Sequence, residues 1–176
     1  MAVLTGLYSA YGYVSSVELR SATRSLDLFF LLPAFFAILV SLTGKRWSAT
    51  LLATINGLVF LGTPAPFALH ITLSLIVNGI VFDLYLQHAS SSLLDPTRKH
   101  LVLAGVLGNL AMAPAGLLVL QVAGFPSSSD IWALALIGDT IVGGAGAFFG
   151  ATVVERVRGI QTRRVLESTA SMKVRA

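Results

Sequence analysis

Apolar residues run through this chain in long blocks, broken only by short polar stretches. A helix needs about 20 apolar residues to cross the hydrocarbon core of a bilayer. Read against that length, the blocks predict six spans. They are Ala2–Val17, Leu26–Thr43, Ser48–Gly62, Phe67–Gln87, Leu101–Gly124 and Ile131–Val154. The breaks carry their own signals. Glu18–Ser25 is polar, Gly44–Lys45–Arg46 is a tight basic turn, and Thr63–Pro64–Ala65–Pro66 ends the third block because proline cannot continue a helix. His88–His100 is a polar loop, and Phe125–Asp130 separates the last two blocks. Pro33 sits inside the second block as a predicted kink. The first and third blocks are short, so five spans is the competing count.

Composition agrees with the pattern. The chain is 55% hydrophobic and 11% charged, with mean hydropathy +0.82 over 176 residues. A soluble domain is about a quarter charged, and a surface loses that much charge when its solvent is lipid. The expected fold is all-α, an integral membrane six-helix bundle over residues 1–158 followed by a basic tail at 159–176, which reads either as a helical extension that frays or as a segment lying on anionic lipid. Met1 runs directly into apolar sequence with no charged n-region, so no signal peptide is read. The first span is then abbreviated, or the start is late.

The charge distribution decides between counts. Of the twelve Lys and Arg residues, six lie between Arg156 and Arg175. Lys45, Arg46, Arg98 and Lys99 lie in the second and fourth loops, and only Arg20 and Arg24 lie elsewhere. With six spans, ten of the twelve fall on one side. The positive-inside rule makes that side cytoplasmic and puts both termini there. The same clustering next to spans argues against a nucleic-acid surface, despite a net charge of +4.

Few residues offer chemistry. There are no cysteines, which excludes disulfides, thiolate metal sites and cysteine nucleophiles. No phosphate-binding G-x-x-x-x-G-K-[ST], no H-E-x-x-H and no G-x-S-x-G occurs. Three histidines in two separate places give no basis for a metal centre, and no cofactor or catalytic residue is expected. His70, Ser74 and Asn78 form a polar stripe at i, i+4, i+8 in the fourth span. Polar groups at membrane depth face protein or a cavity, so the stripe hydrogen-bonds either a ligand or another helix, through Asn56 or Asn109. Asp139 lies about 12 Å along the sixth span. It is a binding candidate, or it pairs within the bundle, with His70 as one partner. Asp83 reads as structural, as a partner for a basic turn.

Two stripes of small residues permit close helix approach. Ala2, Gly6 and Ala10 share a face of the first span and suit either internal packing or an external partner. Gly143, Gly146, Ala147 and Gly150 in the last span read chiefly as internal packing. Aromatics gather at the outer ends: Tyr8, Tyr11, Tyr13, Phe29, Phe30, Phe67, Phe125 and Trp132. They suit the membrane interface, packing, or stacking on a planar ligand. Glu18, Arg20, Arg24 and Asp27 cluster in the first outer loop, as a solvated turn or a cap on a pocket.

Several stretches together resemble the substrate-binding (S) components of energy-coupling factor (ECF) transporters, the prokaryotic vitamin-uptake systems. They are the Ala2/Gly6/Ala10 face; Leu31–Leu32–Pro33 running to Thr43–Gly44–Lys45–Arg46; Ala53–Thr54–Ile55–Asn56–Gly57–Leu58–Val59; Pro64–Ala65–Pro66; Asn78–Gly79–Ile80–Val81–Phe82–Asp83; and Gly143–Gly144–Ala145–Gly146–Ala147–Phe148–Phe149–Gly150. The resemblance runs from Leu4 to about Arg158. It implies a plasma-membrane protein that binds one vitamin or precursor near the outer surface. It also implies a separate transmembrane coupling protein and ATPase subunits as partners, with no enzymatic activity of its own. In that family a small-residue face on the first helix contacts the coupling protein, and Ala2, Gly6 and Ala10 occupy the matching place. The resemblance does not assign ligand residues one by one; depth and polarity make His70, Asn78 and Asp139 the expected polar contacts, with Trp132 and Tyr11 as stacking walls. Asp139 suits a cationic group such as a thiazolium or amine, and the texture leans toward thiamine or its pyrimidine precursor. Two other readings stand beside this one. A structural subunit of a larger complex would use the small-residue faces as permanent contacts. An intramembrane enzyme would have only His70 and Asp139 as a converging pair.

Overall fold

The computed structural model describes residues 2–18, 26–62 and 68–175, with side chains at all of these except 12–18, 26–27 and 161–175. Six helices make up the described residues, with no strand among them. They are α1 (Ala2–Glu18), α2 (Leu26–Thr43), α3 (Ser48–Leu61), α4 (Ala68–Ala89), α5 (Arg98–Val122) and α6 (Ser129–Arg175). Three contain stretches long and apolar enough to cross a membrane: Ala68–Ala89, Arg98–Val122 and Ser129–Ile160. The Pro64–Pro66 break, Phe67 and the side chains of Tyr13 and the Glu18–Asp27 cluster lie outside the described residues.

Local chemistry sets the helix ends. Gly44 takes a left-handed conformation (φ 61°) and donates its N–H to the Val40 carbonyl at 2.8 Å, closing α2. Gly124 (φ 87°) closes α5, with Phe125 N–H reaching back to the Leu120 carbonyl at 2.9 Å. Thr97 caps the start of α5 by accepting from His100 N–H. That cap moves the start three residues ahead of the first apolar position, Leu101. The longest element is α6. Its 47 residues continue without a break to Arg175, about 70 Å at helical rise. The basic tail holds no proline and a single glycine, Gly159, so nothing in it stops the helix.

The helices close into a ring. α6 packs along both α2 and α5, α4 packs between α3 and α5, and α1 lies over the looser junction of α2 with α3. At the centre, Phe36 of α2 meets Phe82 of α4 edge-on with centroids 5.3 Å apart, among fully buried Leu32, Val40, Leu52 and Leu86. Tyr8 anchors α1 by packing edge-on against Phe35, and Ser9 of α1 donates to Asn56 of α3 at 2.7 Å.

The glycines of α6 serve this packing. A Cβ on Gly146 would collide with the Phe30 carbonyl of α2, and one on Gly150 with the Ala34 carbonyl. The last small-residue stripe is therefore internal. The first is not: Ala2, Gly6 and Ala10 are all exposed, and a Cβ on Gly6 would meet nothing within 4 Å.

The basic segments share one end of the bundle. Arg158 of α6 donates to the Ser41 carbonyl at 2.9 Å and to the Leu94 carbonyl, and it pairs with Asp95. Arg98 pairs with Glu155 and lies 4.9 Å from the Phe148 ring centroid. The end of α2, the loop before α5 and the start of α5 thus meet α6 where its basic stretch begins. Asp83 sits on this side too, but it does not pair with the basic turn. Trp47 precedes α3 in a left-handed conformation and offers no side-chain cap. Asp83 of α4 supplies one across the interface, accepting from Ala49 N–H at 3.4 Å, Thr50 N–H at 2.7 Å and Thr50 Oγ1 at 2.8 Å.

Candidate ligand cavity

At the opposite end of the ring lies a cavity of about 530 Å³. Its walls are Phe29 of α2; His70, Ile71, Ser74 and Leu75 of α4; Met112, Gly116, Leu117 and Leu120 of α5; and Ile131, Leu134, Gly138 and Asp139 of α6. The volume lies within the range of about 300–1,000 Å³ typical of small-molecule sites, and such sites combine apolar walls with a few placed polar groups.

Helical periodicity explains which residues take part. On α6, positions 131, 134, 135, 138 and 139 face the cavity, an i, i+3, i+4, i+7, i+8 stripe. Trp132 falls off that stripe, is half-buried and does not line the cavity. Tyr11 is half-buried on α1, and no described side chain of that helix lines the cavity. Of the five residues expected at a ligand, His70 and Asp139 meet at the cavity.

Asn78 lies one turn deeper on α4, under the floor. It is fully buried, and its Nδ2 donates to Asn109 Oδ1 at 2.6 Å and contacts Met112 Sδ at 3.3 Å. This is the interhelical alternative for the polar stripe. Asn109 in turn donates to the backbone carbonyls of Asp139 at 2.9 Å and Phe29 at 3.2 Å. One asparagine on α5 therefore ties α2, α4 and α6 together beneath the cavity. Both donors of Asn109 face carbonyls, so its oxygen must face Asn78, which fixes the orientation of both amides.

The Phe29 bond has a specific cause. In an α-helix that carbonyl would accept from the N–H four residues on, but that residue is Pro33, which has none. Asn109 fills the acceptor that the proline frees. Gly143 makes the reach possible, since a Cβ there would lie 2.5 Å from Asn109 Cγ.

The polar groups of the cavity are few. Ser74 Oγ donates to the His70 carbonyl at 2.6 Å, so its hydrogen is already used. Asp139 is only 6% exposed, and no hydrogen bond or ion pair reaches its carboxylate from the described residues. Among the described residues no Lys or Arg lines the cavity. Among the described residues no cluster of three His, Asp or Glu side chains is placed to hold a metal ion.

Sequence reading missed Met112, Gly116, Leu120 and Gly138. Their signal is slight: Gly116 and Gly138 remove side-chain volume where α5 and α6 would otherwise fill the space. Comparison with family models, with curated proteins and with solved structures gives no match to this chain.

Proposed function

We propose that this chain is the membrane-embedded, substrate-binding subunit of an importer of the energy-coupling factor type, taking up a vitamin-like small molecule. The cavity at the end away from the basic segments carries the reading. In the proposed topology all six helices span a prokaryotic plasma membrane. The end bearing Lys45, Arg46, Arg98, Lys99 and the close of α6 faces the cytoplasm, as the positive-inside rule requires. The cavity then opens toward the outer face, where a nutrient arrives. Transport energy comes from ATPase partners through a transmembrane coupling protein. The exposed Ala2, Gly6 and Ala10 face on α1 is the surface assigned to that protein, because small residues admit a second helix closely.

A thermal-shift panel of B vitamins and their precursors on detergent-purified chain tests this, with thiamine and its pyrimidine precursor tried first. A ligand that binds only the folded state adds about 2.7 kcal/mol at a hundredfold excess over its Kd. One compound should raise the unfolding temperature. A flat panel on folded protein favours the structural-subunit reading.

A further inference from the structure

We propose that the cavity is selective for an organic monocation: an apolar or aromatic body with one positive centre and no acidic group. This rests on the cavity being a ligand site, and adds the charge of what enters it.

The two buried carboxylates of the described helices make the contrast. Asp83 is 3% exposed and receives three hydrogen bonds at the start of α3. Asp139 is 6% exposed and receives none from the described residues. Unpaired burial of a carboxylate is costly, and a positive partner offsets that cost. Among the described residues no such partner comes from the walls, which hold neither Lys nor Arg.

The remaining polar groups point the same way. Ser74 has spent its hydrogen on the His70 carbonyl, so toward a ligand it presents an acceptor. When ionised, Asp139 presents acceptors only. Among the described lining side chains, the His70 ring is the only one that carries a polar N–H. An anionic ligand would face Asp139 with at most that imidazole in compensation. A cation finds a counter-ion in Asp139, and Phe29 offers an aromatic surface in the same cavity.

The test is isothermal titration of the purified full chain with compounds grouped by charge. Thiamine, choline and benzylamine are the cations. The thiamine pyrimidine alcohol, riboflavin and pyridoxine are the neutral compounds. Biotin, pantothenate and nicotinate are the anions. Binding should be confined to the cationic group. Asp139→Asn should weaken the best binder at least tenfold while leaving the ligand-free unfolding temperature unchanged or higher. Three results overturn the proposal. If a neutral or anionic compound binds and Gly138→Leu abolishes it, the cavity is a ligand site but cation selectivity is wrong. If a cation binds and Asp139→Asn changes its Kd less than twofold, Asp139 is not the counter-ion. If no compound of any charge binds folded protein at millimolar concentration, the ligand-site reading itself fails. Should Asp139→Asn fold poorly, the charge ranking on the unmodified chain decides.

Discussion

Replacing Asn109 with alanine removes one side chain that serves three helices. It deletes the bonds to Asn78, to the Asp139 carbonyl and to the Phe29 carbonyl. Interhelical hydrogen bonds within membranes contribute about 0.6 kcal/mol each, so the three together contribute about 2 kcal/mol. The Asp139 carbonyl has a second donor in its own helix. The Phe29 carbonyl does not, because Pro33 lacks an N–H, and a buried unsatisfied acceptor costs about 1–3 kcal/mol more. The expected loss is about 3–5 kcal/mol. A double-mutant cycle isolates the last part. Pro33→Ala restores an N–H that bonds Phe29 within α2, so Asn109→Ala should cost about 1 kcal/mol less in that background, well above the scatter of about 0.5 kcal/mol for independent sites. Unfolding in mixed micelles with increasing SDS, followed by far-UV circular dichroism, measures all four proteins. An equal cost of Asn109→Ala in both backgrounds would refute the link between the proline and the asparagine.

Two further outcomes follow from the same geometry. Asp83→Ala removes the cap of α3 from across the interface and should cost about 1–2 kcal/mol in the same unfolding assay; no loss would mean that α3 needs no external cap. The chain has no cysteine, so single cysteines map topology without background: Ser92 should be labelled only from the cytoplasmic side and Ser127 only from outside, and labelling of both from one side would break the six-span arrangement.

Much of the fold was legible because membrane helices announce themselves by length of apolar run. The ends of α2 coincide with the run Leu26–Thr43, and α3 and α4 depart from theirs by one or two residues. α5 begins earlier because a threonine cap, not hydrophobicity, starts it. α6 runs on because the tail is polar but still helix-forming. The internal role of Gly143, Gly146 and Gly150 was readable from spacing alone. The Asn78 bond was readable only as one alternative, since spacing places a residue on a face without saying which helix it meets. The partnership of Pro33 with Asn109 was not readable. Those residues are far apart in sequence, and their meeting depends on α2 packing next to α5 and α6 rather than only on its chain neighbours. Trp132 illustrates the converse. Its aromatic character suggested a ligand wall, but rotation about α6 carries it off the cavity stripe. The pairing of Asp83 with backbone amides rather than Lys45 or Arg46 likewise depended on the left-handed turn at Trp47, which composition does not reveal.

The most direct test of the central claim is the binding stoichiometry of the first compound to shift the unfolding temperature, titrated into purified chain and into Gly138→Leu. Gly138 lines the cavity and a Cβ at its position meets nothing within 4 Å, so a leucine side chain there should take up ligand space. The account predicts one site per chain in the unmodified protein and none in the variant. Unchanged binding in Gly138→Leu, or no binding by either folded protein, would contradict it.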